Sequence, residues 1–220
     1  TLDVILYDGT LEEGDQIVVG GSQGPIVPTV RALLRPRDLA EIRTEKRFEQ
    51  VESVSAAMGL KIAAPNLGEA LSGAPIRVVG DRETETVVEA VREELADVAV
   101  STDEEGIVVK ADTLGSLEAI ANSLREAEIP ILRAEVGDIA PRDVSVASTV
   151  EETAHKAILG FNVGTHEDAA DLAAESGVEI FRDDVIYQLI EEYEDHVEAI
   201  RRRQREAVFE NVIRPARFRV

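Results

Sequence analysis

The chain has no cysteine and no tryptophan, one methionine and only 4% aromatic residues in 220 positions. Without cysteine there are no disulfides and no thiolate metal sites, which fits a cytoplasmic protein. No apolar run reaches the roughly 18 residues that a spanning helix needs, and no basic-then-apolar start resembles a signal peptide, so no membrane partner is expected. Lysine is scarce as well: Lys46, Lys61, Lys110 and Lys156 are the only four among 23 basic residues. Against these stand 44 acids, giving a net charge of −21. Acids in every segment, with arginine in place of lysine, point to a halophilic source, where molar salt shortens the screening length to about 3 Å and suppresses self-repulsion. An acidic protein from a mesophile is the alternative. In molar salt this acidity does not exclude nucleic-acid binding; in dilute buffer it would argue against it.

With 44% hydrophobic residues the chain can bury two modest cores. It carries no 20-to-50-residue repeat and no low-complexity tract, which excludes solenoids and linker-rich scaffolds. Residues 1–80 read as a small β-barrel. Their clearest signal is the string Gly9-Thr10-Leu11-Glu12-Glu13-Gly14-Asp15-Gln16-Ile17-Val18-Val19-Gly20, a glycine-bounded connection in which Leu11 turns inward while Glu12, Glu13 and Asp15 stay solvated. Strands are expected near 2–7, 16–19, 26–34, 58–63 and 75–79, and Pro25, Pro28, Pro36, Pro65 and Pro75 rule out long helices there. Residues 81–105 read as an acidic, solvated connecting helix and linker, with Val87, Val88, Val91 and Leu95 at helical spacing.

Residues 106–182 alternate strand and helix: strands at 106–110, 130–136, 157–163 and 178–181, helices at 114–127, 141–151 and 166–176. This predicts a four-stranded, mostly parallel α/β/α sandwich. Asp112-Thr113 is placed to cap the first of these helices, Pro141 to open the second and Gly177 to end the third. A long helix over 183–209 follows, with Ile186, Leu189, Ile190, Tyr193, Val197 and Ile200 on one stripe. Its acids come early, and Arg201, Arg202, Arg203 and Arg205 are expected in its last turns, where they would stabilise the helix dipole. At 1.5 Å per residue such a helix is roughly 37 Å long and should project from its domain. Residues 210–220 read as the start of a further barrel domain. The absent initial methionine and the strand-like ends suggest a piece of something larger.

No G-x-x-x-x-G-K-[ST] loop is present, so this piece is not expected to hydrolyse nucleotide. His155, His166 and His196 lack metal-ligand spacing, no serine sits in a G-x-S-x-G elbow, and the acidic pairs Asp183-Asp184 and Glu191-Glu192 suit solvated faces. Neither catalytic residues nor a cofactor or metal site is expected. Thr113 to Ser116 could hold a small anion, although capping plus close packing at Gly115 explains the same residues. Arg31, Arg35, Arg37, Arg43, Lys46 and Arg47 form a basic run with only Asp38, Glu41 and Glu45 among them. Such a run suits ribosomal-RNA phosphates; local ion pairs with those acids are the other account.

Taken in order, the barrel string, Gly59-Leu60-Lys61-Ile62, Leu71-Ser72-Gly73-Ala74-Pro75-Ile76, Asp112-Thr113-Leu114-Gly115-Ser116-Leu117-Glu118-Ala119, and Ile186-Tyr187 entering a long helix resemble the archaeal initiation factor two / eukaryotic initiation factor five B family of translational GTPases. The resemblance covers essentially the whole chain. It implies the second domain, the third domain, the connecting helix and the first strand of the fourth. It also implies a longer, monomeric protein that uses GTP and Mg at a domain before residue 1, binds initiator tRNA with a domain after residue 220, and acts with the ribosome in subunit joining. This part would rest on small-subunit rRNA at the subunit interface, its helix stripe serving as an interdomain lever. A non-ribosomal α/β small-anion-binding domain with an appended β-barrel is the alternative.

Overall fold

The computed structural model describes residues 1–37, 48–97 and 103–211, and the chain divides into two compact units, Thr1–Ala99 and Val100–Val220. The first unit is built from β1 (Leu2–Leu6), β2 (Thr10–Glu12), β3 (Ile17–Val19), β4 (Ala32–Pro36), β5 (Phe48–Val51), β6 (Ser53–Ser55), β7 (Met58–Ala63) and β8 (Ile76–Val78), followed by α1 (Thr84–Asp97). An antiparallel sheet runs β1-β7-β4-β5, and two small antiparallel pairs, β2 with β6 and β3 with β8, complete the β-structure. Alternation sends Leu2, Val4 and Leu6 of β1 toward a core of Leu11, Ile17, Leu33, Leu60 and Ile62.

The glycine-bounded string is more than a connection, because it contains β2, whose Leu11 is buried between exposed Thr10 and Glu12. Gly9 and Gly14 adopt φ of 77° and 96°, values an L-residue resists. The Asp15 carboxylate accepts from the Glu12 N–H at 2.9 Å and locks the turn. The strand expected at 26–34 forms instead at 32–36, and Ile26 and Thr29 make single bridges to Val19 and Gln16. Pro25 and Pro28 lack the N–H that a ladder needs. Strands β2, β5 and β6 went unforeseen because each has three or four residues, and β2 and β6 each bury a single apolar side chain among polar ones.

Helix α1, expected to be solvated, buries Val87 and Val91 against Val18 of β3 and Val79 just after β8. Arg77 Nη2 donates to Glu94 Oε2 at 2.8 Å across this contact. The valines mark one apolar stripe, and the many glutamates occupy the other faces.

The second unit contains β9 (Ile107–Ala111), α2 (Leu114–Glu126), β10 (Ile131–Val136), α3 (Pro141–Ser148), β11 (Ala157–Phe161), α4 (Glu167–Ser176), β12 (Glu179–Asp183) and α5 (Ile186–Asn211). Its sheet is wholly parallel in the order β10-β9-β11-β12. Every residue of the central β9 is buried, as expected of a parallel strand covered on both faces. Helices α2 and α5 cover one face and α3 and α4 the other. Thr113 caps α2 by accepting from the Ser116 N–H at 3.2 Å, Pro141 occupies the first turn of α3, and Gly177 closes α4 with φ 67°.

Three expectations need correction. Helix α3 stops at Ser148, short of 151, and gives way to a 3-10 turn at Thr153–His155. Helix α5 starts at Ile186, later than 183, because Asp183 ends β12 and its carboxylate accepts from the Val185 N–H at 2.7 Å. Gly115 makes no close packing, since a side chain there would meet nothing within 4 Å; the close approaches of this unit fall on Gly106, where a Cβ would run into the Pro130 carbonyl oxygen, and on Gly160, where it would lie 2.9 Å from Ile139. No helix among the described residues is long and apolar enough to cross a membrane.

Candidate functional site

The stripe on α5 roots the helix in the second unit. Leu189, Ile190 and Tyr193 are buried in the core shared with β9, β11 and α2, with Ile186 and Val197 half-buried beside them and Ile200 half-buried beyond. Phe181 of β12 meets the Tyr193 ring edge-on at 6.1 Å and the His196 ring at 5.2 Å. From Arg201 to Glu206 every residue is exposed. Twenty-six residues make a rod of about 39 Å.

The arginines of this helix are not where the sequence reading puts them. Helix α5 continues to Asn211, and its last turn holds no basic residue. Dipole stabilisation fades within the final turn, so it does not explain Arg201, Arg202, Arg203 and Arg205.

On the barrel, the described part of the basic run lies on β4 and its flanks. Arg31 is exposed, Arg35 donates from Nε to Glu49 at 2.8 Å, and Arg37 is half-buried. The partner of Arg35 among the described residues is thus Glu49 of β5. Asp38, Glu41 and Glu45 lie outside the described residues, as do Arg43, Lys46 and Arg47.

The N-terminus of α2 is a poor place for an anion. Asn162 donates from Nδ2 to the Asp112 carboxylate at 2.6 Å. Burial acts to raise the Asp112 pKa, but the hydrogen bonds from Asn162, Ser116 and Thr113 prevail and hold it below the usual carboxylate value. An ionised carboxylate thus stands where the alternative reading needs a bound anion, and Thr113 is already engaged in capping.

The charged cluster that sequence reasoning missed centres on Lys110 in β9, only 2% exposed. Its Nζ lies 3.5 Å from Asp143 and 3.6 Å from Glu135. Asp143 is fully buried and accepts from the Ala140 N–H at 2.9 Å, so one carboxylate both starts α3 and faces the lysine. Glu135 also receives Arg133 at 2.9 Å and Arg142 at 2.6 Å. Burial opposes ionisation of Glu135, yet the hydrogen bond from Arg133 and the charges of Lys110, Arg133 and Arg142 hold its carboxyl below the usual range. The cluster ties β9, β10 and α3 together. One of only four lysines, set in the apolar run Ile107-Val108-Val109-Lys110-Ala111, was the available signal.

His155 Nδ1 lies 3.6 Å from Glu152, His166 is exposed and His196 rests on Phe181. Among the described residues no three or more His, Asp or Glu side chains gather as metal ligands would.

A family model described as Translation-initiation factor 2 matches residues 80–194, more than half of the chain. The chain belongs to this family. It is 60% identical to translation initiation factor IF-2 of Haloarcula marismortui and 62% identical to that of Natronomonas pharaonis, in each case over all of its own length but only 37% and 36% of theirs. The IF-2 of Methanosarcina mazei is 49% identical over the same extent. Among solved structures, GDP-bound aIF5B from Aeropyrum pernix aligns with a TM-score of 0.77 at 41% identity, covering 96% of this chain and 36% of that one. The chain therefore spans a little over a third of the relatives it matches. Its antiparallel sheets, parallel α/β sheet and C-terminal helix are similar to the corresponding part of aIF5B. The haloarchaeal relatives agree with the acidic, lysine-poor composition.

Proposed function

We propose that this chain is the ribosome-contacting and motion-transmitting part of a translation initiation factor whose longer protein is a ribosome-dependent GTPase that promotes subunit joining and places initiator tRNA. Guanine nucleotide and Mg would act outside this chain, which itself carries no catalytic residue. The barrel, through Arg31, Arg35, Arg37, Arg43, Lys46 and Arg47, is the part that meets small-subunit rRNA. The protein works as a cytoplasmic monomer, with residues 1–80, 81–105, 106–182, 183–209 and 210–220 as barrel, connector, sandwich, lever and start of the next barrel.

One observation carries the reading: α5 is gripped at its root by Leu189, Ile190 and Tyr193, while Arg201 to Glu206 stand free. A rotation of a few degrees at such a root displaces the tip of a rod of about 39 Å by several ångströms. The test is Glu198→Pro in the full-length factor. Glu198 is exposed and lies beyond Tyr193, so proline there costs about 3 kcal/mol of helix stability and leaves the packed root in place. GTP binding should persist while GTP-dependent subunit joining slows. Joining at the wild-type rate would refute the lever.

A further inference from the structure

Beneath the second half of α5 runs an open groove of about 1100 Å³. Its floor is apolar, from Ala127, Ile129, Pro130 and Val197, and Arg201 and Arg205 stand one turn apart on its helical wall. Tyr193 and His155 also line it. Tyr193 is 1% exposed and its buried Oη has no hydrogen-bond partner, whereas His155 Nδ1 faces the Glu152 carboxylate at 3.6 Å. A buried hydroxyl left unsatisfied is costly unless a guest completes it.

The arginines add an independent observation. Several cations elsewhere are paired, Arg35 with Glu49, Lys61 with Asp3, Arg77 with Glu94 and Arg92 with Glu89. Arg201, Arg202, Arg203 and Arg205 make no ion pair among the described residues, and the side chain of Arg205 reaches only the Arg201 carbonyl of its own helix. Four guanidinium groups without an ion pair among the described residues, within five positions of a chain of net charge −21, are retained against the general composition. They match a polyanion with closely spaced charges. Glu128, Glu194 and Glu198 line the other part of the groove, which confines an anionic guest to the arginine end.

We propose that this groove and the adjoining arginines form a binding site for single-stranded RNA. Phosphates lie along Arg201 and Arg205, and one unstacked base enters over Ile129, Pro130 and Val197, its edge completing Tyr193 Oη. Apolar walls accept the face of any base, the buried Tyr193 hydroxyl reads its edge, and the arginines supply the charge. This site is separate from the barrel patch and goes beyond the lever reading, because it assigns the helix a ligand of its own.

The test uses the 220-residue chain, its fold verified by circular dichroism between 0.5 and 2 M KCl, and fluorescein-labelled decauridylate in an anisotropy titration. Saturable binding is expected, with log K falling against log salt at a slope of about −1.4 for the two phosphate contacts at Arg201 and Arg205. Arg201→Gln with Arg205→Gln should bring that slope close to zero. Tyr193→Phe, which keeps the ring against Phe181 and removes only the unpartnered hydroxyl, should weaken binding about fivefold, the equivalent of one hydrogen bond, without changing the slope. Absence of saturable binding, an unaltered slope in the double variant, or unaltered affinity in Tyr193→Phe would each overturn the proposal. Competition by polyglutamate equal to that of unlabelled RNA would also overturn it and assign the surface to an acidic protein.

Discussion

In the first unit Arg35, Lys61 and Arg77 meet Glu49, Asp3 and Glu94 at the surface, with between a quarter and three quarters of each side chain still in water. In the second, Lys110 lies in the central strand between Asp143 and Glu135, its side chain 2% exposed. The same chemistry has different weight in these two places. A surface pair is screened and worth about 0–1 kcal/mol, more so in the molar salt that the composition suggests. A buried charge must be matched, because the interior offers no water to replace a lost partner. Salt adaptation can therefore rewrite the barrel surface freely, whereas the α/β unit is constrained by one charged knot.

The strongest way to break this contrast is Lys110→Met. It leaves the fully buried Asp143 without its lysine and should destabilise the second unit by about 3–5 kcal/mol. Urea unfolding followed by circular dichroism in 2 M KCl should show that unit's transition moving while the barrel's stays. Adding Asp143→Asn should recover part of the loss, because the stranded charge is then gone; no recovery would mean that lysine packing, not charge pairing, is what matters.

Acid titration sharpens the same comparison. The folded-state pKa of Glu135 lies below the ordinary 4.5, so the stability it contributes is complete above the unfolded value and is lost as pH falls through the folded one. Glu135→Gln should flatten the acid limb of the second unit's stability curve, leaving that of the first unit unchanged. Differential unfolding between pH 6 and pH 3 measures it.

The smallest expected change in stability comes from Arg35→Glu with Arg37→Glu. The Arg35 contact with Glu49 is exposed, so the barrel should lose at most about 1 kcal/mol from it. In the full-length factor, co-sedimentation with small ribosomal subunits should nevertheless fall. Unchanged sedimentation would remove the barrel patch from the ribosomal reading.

Legibility also differed between the units. The α/β half could be read almost element by element, because each helix runs eight residues or more with an apolar stripe and Thr113, Pro141 and Gly177 punctuate the ends. The barrel could not, because strands such as Ser53–Ser55 are too short to establish a period and are held by partners 40 or more positions away, Thr10 opposite Ser55 among them. The site followed the same division. The stripe from Ile186 to Val197 was visible as spacing, but the groove beside it joins α5 to Ile129-Pro130 and His155, which no local pattern connects.

The sequence by itself determined the two-part organisation, the parallel α/β pattern, the long helix with its apolar stripe, the family and the salt-adapted charge, since each is written in composition or in a period shorter than one element. Only the tertiary structure decided that Lys110 meets Asp143 and Glu135, that α1 packs its valines on the barrel, and that Arg201 to Arg205 stand well before the end of α5 at the edge of a groove. Those features depend on which distant residues become neighbours, and burial and pairing energies are set by neighbours in space, not by neighbours along the chain.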